Sequence, residues 1–268
     1  MFMGLVGSEM CIRDRAEVGD NGLIDADSIT VLKRIEQPYR NHNGGFLVHA
    51  GNSSYLWGLG DGGSANDPHS HGQDQSSPLG TILLFEFRDN EVLAVLDNST
   101  GDPYILHSGL RNPWRFDIGN SNDLWIADVG QNCWEEVNLV SLIERANLGW
   151  SEREGFQEFQ EEMSCSSTRD DSENGLTDPL LAYPHENGNC SITGGYWMDW
   201  GPENLRDGYL YGDFCTGSIW ILEETDGKWN ERHLGNSGGM IVGFGKGFND
   251  EILVFHWAGD IVMINGKI

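Results

Sequence analysis

Two arginines, an amide, a bent backbone and a pair of carboxylates fall within one stretch of this 268-residue chain, from Ser108 to Leu139. GLRNPWR carries Arg111, Asn112 and Arg115 in a sequence with only 16 basic side chains against 42 acidic ones. Downstream, ADVGQNCWEEVN reads as a strand ending at Asp128, a bend at Gly130 and the pair Glu135 and Glu136. Charged and amide side chains gathered where strands end are what a polar-ligand site needs, because each offers directed donors or acceptors. The same residues also describe two capped turns in an all-β protein, and spacing alone does not separate these readings.

The elements that would hold these groups are short. Asp123 to Ala127 is an aromatic and β-branched run bounded by turn residues, the pattern of a buried strand. Ser28–Ile35 and Thr81–Phe87 read as further strands. Between them lie His42, fenced by Asn41 and Asn43 before two glycines, and the glycine- and aspartate-rich loop GLGDGGSANDPHSHGQDQ. Four pieces, Tyr55–Trp57, Leu124–Ile126, Tyr209–Tyr211 and Ile252–Val254, each precede a small or acidic residue and a glycine turn, and three lead into a second strand. A strand–turn–strand unit recurring at roughly 40–50 residues predicts a β-propeller with insertions rather than a sandwich. Residues 147–184 are acidic and turn-rich and are expected to form a long surface excursion.

Composition narrows the function. A formal net charge of -26 excludes nucleic acid and an anionic membrane surface as partners, since both need a basic face. No apolar run approaches the roughly 20 residues of a membrane span. Five cysteines are present, and Cys133, Cys165, Cys190 and Cys215 form an even set that fits a secreted or periplasmic chain. Cys190 and Cys215 sit at the starts of neighbouring strand pairs and are expected to bond, with Cys133–Cys165 as a second bridge. The fifth, Cys11, lies in residues 1–15, where GSEMCIRDR resembles a translated sequencing-adaptor artefact. Those residues are expected to be a non-native, unpacked leader to a propeller domain spanning 16–268, with the N-terminal part of the protein missing.

In NHNGG, GLGDGG, GLRNPWR, DVGQNCWEEVN, NLGW and SITGGYWMDWG…YLYGDFCTGSIW, in that order, the chain resembles the soluble quinoprotein glucose/sorbosone dehydrogenase family, which includes hedgehog-interacting-protein-like propellers. The resemblance implies a six-bladed β-propeller, here all-β and partial, with four to five blades. It implies oxidation of an aldose sugar by pyrroloquinoline quinone (PQQ) over a calcium ion, with His42 as general base. Arg111 and Asn112 would lie beside the cofactor, and the carbonyls of Gly130 and Gln131 would ligate calcium. These five residues are therefore expected around one cleft. The family's cofactor-clamping lysine and arginines align with Asp199, Thr216 and Ile221, and a glutamine near the sugar aligns with Gly62, which implies a weaker hold on PQQ. The alternative is a cofactor-free propeller that binds carbohydrate or protein. A calcium-dependent lactonase using Asp61 and Asp128 is a third class.

Overall fold

The computed structural model describes residues 10–97, 101–162, 164, 165, 169–172 and 175–264. The described residues begin with a hairpin of β1 (Met10–Val18) and β2 (Ile24–Glu36). The first large sheet contains β3 (Leu47–His49), β4 (Ser54–Leu59), β5 (Thr81–Arg88), β6 (Glu91–Ala94) and β7 (Ile105–Ser108). The second begins with β8 (Pro113–Ile118), β9 (Asp123–Asp128) and β10 (Trp134–Ser141). The excursion that follows holds β11 (Ala146–Asn147), parallel to β7, and a small hairpin of β12 (Arg153–Glu154) and β13 (Gln157–Glu158). It returns as β14 (Leu181–Pro184), the outer strand of the second sheet. The third sheet is β15 (Ile192–Trp197), β16 (Gly208–Asp213), β17 (Ser218–Thr225) and β18 (Lys228–Asn236). The fourth is β19 (Ile241–Lys246), β20 (Ile252–His256) and β21 (Ile261–Ile264).

Successive sheets pack face to face, and each gap is a hydrophobic core. Leu56 and Ile82 of the first sheet meet Phe116, Leu124 and Ile126 of the second. Trp125 of the second stacks on Trp197 and Tyr209 of the third, with ring centroids 5.5 and 4.9 Å apart. Leu210 and Ile221 of the third meet Phe244, Ile252 and Val254 of the fourth. The first strands adjoin in turn, β8 against β15 and β15 against β19. This is the blade packing of a propeller. The only helical pieces among the described residues are 3-10 turns at His71–Gln73, Asn120–Asn122 and Glu203–Leu205, and no helix there is long and apolar enough to cross a membrane.

The four recurring pieces are the second strands of the four sheets: β4, β9, β16 and β20. Each ends at, or just before, a polar residue that reaches back to the segment leading into its sheet's first strand. Asp61 holds the His42 ring, Asp128 accepts the N–H groups of Arg111 and Asn112, and Asp213 accepts those of Cys190 and Ser191. In the fourth sheet His256 bonds the Ser237 hydroxyl. Both expected disulfides are present, Cys190–Cys215 with Cα atoms 5.7 Å apart and Cys133–Cys165 at 5.4 Å.

Two expectations need correction. Met10–Arg15 do not stay unpacked: they pair with β2, and Arg13 is buried with its guanidinium 4.7 Å from the centroid of the Trp57 ring. Strand β2 supplies a long edge whose backbone groups need partners, and β1 provides them. Residues 1–9 of the expected leader lie outside the described residues. The excursion is not purely a solvated surface either, because Leu148, Trp150 and Glu154 are buried.

Asp117 bridges the second and third sheets, accepting the Trp197 N–H at 2.9 Å. Burial, with the charge of Asp199 adding to it, pushes its carboxyl up to about 6 against the N–H bonds from Trp197 and Ile118. A raised carboxylate favours the folded state below the unfolded value and loses that contribution as pH rises through the folded one. Asp117→Asn should therefore gain on wild type by about 2 kcal/mol between pH 4 and pH 7.5. Urea unfolding of both proteins at the two pH values checks it; a pH-independent difference would contradict the assignment.

Candidate active site

The site is assembled from the loops that leave the second strands of the first two sheets. The β4 strand runs into Gly60, where an added Cβ would lie 2.0 Å from the His42 carbonyl oxygen and 2.9 Å from that of Arg111. Only a residue without a side chain lets the two loops approach so closely. His42 itself lies at φ 52°, in the left-handed region.

His42 Nδ1 lies 2.8 Å from Asp61 Oδ1, and the Asp61 side chain is wholly buried. An ionised carboxylate only accepts, so Nδ1 is the donor in this pair. Asp61 receives two further donors, the Gly63 N–H at 2.8 Å and the Trp150 indole N–H at 2.9 Å. Three donors offset much of the cost of burying a charge. The Asp61 main chain is fixed as well: its N–H donates to the Arg111 carbonyl and its own carbonyl lies 2.7 Å from His71 Nδ1.

Arg111 is the other centre. Its backbone N–H and that of Asn112 donate to Asp128. Its Nη1 donates to the Val129 and Gly130 carbonyls at 3.0 and 2.7 Å, and the guanidinium carbon lies 5.6 Å from the centroid of the Trp150 ring. Burial lowers the Arg111 pKa, while the charges of Asp61, Asp128, Glu135 and Glu154 act to raise it. Asn112 accepts the Gly44 N–H, tying the two loops again.

The turn after β9 is organised by one buried carboxylate. Glu154 Oε1 accepts N–H groups from Gln131, Asn132, Cys133 and Trp134 at 2.6–3.4 Å. The Gln131 side chain bonds Asn66 through both its oxygen and its nitrogen. Glu135 is bound by the His185 ring and the Ile192 N–H; burial raises its pKa against these bonds.

One hydrogen-bonded network thus joins the segments that carry His42, Arg111, Asn112, Gly130 and Gln131. Sequence reading missed Trp150 and Glu154, and it weighed Asp61 only as a lactonase ligand; their signals were GLGDGG, NLGW and the acidic run after it. Among the described residues no cluster of three or more histidine, cysteine or acidic side chains is arranged for a metal, so a metal here would depend on backbone carbonyls. The Val129 and Gly130 carbonyls already converge on a cationic group, amid buried carboxylates, which fits a hard cation. At the three positions that the resemblance assigns to the cofactor clamp, no side chain is a cation. Ile221 is fully buried in the core, the Thr216 hydroxyl is bonded to Asp213 and Asn189, and Asp199 is an acid whose carbonyl accepts Arg206. Arg115 is turned to the Phe46 ring and the Phe244 carbonyl. These residues fit one end of an anionic quinone and not a tricarboxylate clamp. A cavity of about 380 Å³ lies elsewhere, between the β1–β2 hairpin and the first sheet, and none of these site residues lines it.

The glucose/sorbosone dehydrogenase family profile matches residues 12–208. The HIPL2 protein of Arabidopsis thaliana is 30% identical over 215 residues, covering 70% of this chain and 30% of its own length. The HIPL1 protein of the same plant is 29% identical over the same shares; the chain therefore spans less than a third of the curated relatives it matches. Among solved structures, a glucose dehydrogenase superposes with a TM-score of 0.71 at 16% identity, over 97% of this chain and 79% of the other. The PQQ-bound aldose sugar dehydrogenase of Streptomyces coelicolor gives 0.66 at 18% identity, over 93% and 67%. At these identities the structural matches speak for the fold alone.

Trp150→Phe keeps the ring and removes one donor from Asp61. It should cost about 1–3 kcal/mol, the penalty of an under-bonded buried acceptor, read as a lower denaturant midpoint. An unchanged midpoint would argue that the Asp61–Trp150 bond does not hold the site.

Proposed function

Because this chain belongs to the glucose/sorbosone dehydrogenase family, we propose that it carries the site of a calcium- and PQQ-dependent sugar dehydrogenase acting on aldoses. The observation that carries the reading is the His42–Asp61 pair, held at 2.8 Å beside the Arg111 loop. His42 is the general base: Nε2 takes the proton of the sugar hydroxyl, while the Asp61 carboxylate keeps the other ring proton on Nδ1 and stabilises the imidazolium that forms. Trp150 fixes Asp61 and, through its ring, the guanidinium beside it. A bound quinone would supply the hydride acceptor, and calcium beside it a Lewis acid. Arg111 and Asn112 would flank that group, and backbone carbonyls of the turn around Gly130 and Gln131 would face the metal. Two disulfides favour an oxidising compartment, so the protein is assigned to the periplasm or the outside of the cell.

One observation favours a second reading. Asp199, Thr216 and Ile221, the positions that the resemblance assigns to the cofactor clamp, carry no positive charge, which suits a propeller that binds carbohydrate or protein without the cofactor.

Reconstitution with PQQ and calcium, followed by dye-linked oxidation of aldoses, separates the two. The dehydrogenase reading expects turnover that falls by about 10²–10⁴ in His42→Ala, the usual contribution of a general base, and a smaller loss in Asp61→Asn. PQQ affinity should be weaker than in a relative bearing the lysine and arginines. Retained sugar or protein binding with no PQQ uptake would transfer the assignment to the binding propeller.

A further inference from the structure

His107 is wholly buried on β7 and is not among the site residues described above. Its ring does work that main chain usually does in a strand pair. Where β11 begins alongside β7, Ala146 stands opposite His107, and the Ala146 N–H donates to His107 Nδ1 at 3.2 Å. A backbone N–H can only donate, so Nδ1 carries a lone pair and the ring is neutral, with its proton on Nε2. Nε2 is buried and completes no hydrogen bond among the described residues, though the Ser141 backbone lies near enough to favour a protonated ring. Burial outweighs that contribution and pushes the pKa down to about 4. Among the described residues no charged group acts on the ring. Glu86 and Arg88 on β5 pair with each other, and Asp102, ahead of β7, accepts the Tyr104 N–H. Glu144 is exposed, Arg145 donates to the Asp97 carbonyl, and β10 carries Glu135 and Glu136 at the end away from Ser141.

The segment that starts at Ala146 runs straight into the site. The Leu148 N–H donates to the Ser108 carbonyl and the Trp150 N–H to that of Gly109, at 2.9 and 3.0 Å. Ala146, Leu148 and Trp150 thus form three successive rungs along residues 107–109. The Trp150 indole then donates to Asp61, which holds the His42 ring. We propose that His107 is a positioning residue for the His42–Asp61 pair: its neutral imidazole anchors the first rung of this segment and thereby sets the Trp150 indole against Asp61. Gln73 holds the middle and far end of the segment, through Asn147 and the Trp150 carbonyl, while the entry is held at His107. The pair's role as base rests on the function proposed above; the placement of Trp150 does not. A proton on Nδ1 would set two N–H groups against each other, so the anchor works only while the ring is neutral. Stability from the neutral ring is complete above the ordinary value of 6.5 and is lost as pH falls toward the folded value near 4.

The Trp150 indole ¹⁵N–¹H resonance, assigned with Trp150→Phe, reports the bond to Asp61 without any cofactor, and kcat of the reconstituted protein reports the pair. At pH 7.5, His107→Phe keeps a flat ring and lacks the acceptor. It should shift the indole resonance and lower kcat about tenfold or more, with KM within about twofold of wild type. His107→Asn places an amide oxygen where Nδ1 lies and should restore both. Between pH 7.5 and pH 4 the wild-type resonance should move toward the His107→Phe position, and further than that of His107→Asn. If near-UV circular dichroism shows His107→Phe unfolded, the pH series of wild type and His107→Asn decides alone. An indole resonance unmoved in His107→Phe, a His107→Asn as impaired as His107→Phe, or an equal pH response in wild type and His107→Asn overturns the proposal. A shifted resonance with unchanged turnover overturns the positioning role and leaves His107 a packing residue. Absence of turnover in reconstituted wild type, with the indole shifts as expected, overturns the dehydrogenase reading and supports the placement of Trp150 by His107.

Discussion

A carboxylate at the end of a buried strand must find hydrogen-bond donors, and much of this molecule is arranged around that requirement. Asp61, Asp128 and Asp213 stand at equivalent places, and each is almost completely enclosed. Left unpaired, each would cost several kcal/mol. Each is satisfied by the segment that enters its own sheet, so every sheet is cross-tied at the same end. The tie fixes the entering loop as firmly as a ladder hydrogen bond would. Loops fixed at one end of a set of packed sheets are where a precise site can be built.

The first and second sheets turn this structural device into chemistry by different routes. In the second and third sheets the aspartate meets backbone N–H groups. In the first it also meets an imidazole, that of His42. A cross-tie thereby becomes an oriented imidazole. Trp150 connects this pair to Arg111, donating to Asp61 through its indole and offering its face to the guanidinium. Its position depends in turn on the excursion between β10 and β14, which the Gly109 carbonyl holds at the Trp150 N–H. The aromatic stack of Trp125, Trp197 and Tyr209 keeps the second and third sheets in register behind it.

The strands, their recurrence and the cysteine pairs were legible in the sequence because they follow local rules. Alternation and turn residues mark β4, β9, β16 and β20, and Cys190 and Cys215 at strand starts mark one bridge, with Cys133–Cys165 the second choice from the even cysteine set. The ordered motifs around Arg111 and Gly130 marked where polar groups would gather. The packing of Met10–Arg15 was not legible, since composition identified an odd segment but said nothing of the open edge of β2 that it covers.

By itself, then, the sequence determined an all-β series of strand–turn–strand units, its acidic surface, its bridges and the neighbourhood of the site. Only the tertiary structure decided which groups satisfy which. Asp61 and Trp150 are 89 residues apart, and nothing in periodicity or spacing predicts their bond. Glu154 looked like one acid in a solvated run until β12 carried it under the turn of residues 131–134. The physical reason is the same in both cases. Propensity and pattern are properties of neighbours along the chain, whereas the pairing of a buried charge depends on which distant backbone groups the packed sheets bring within hydrogen-bonding reach.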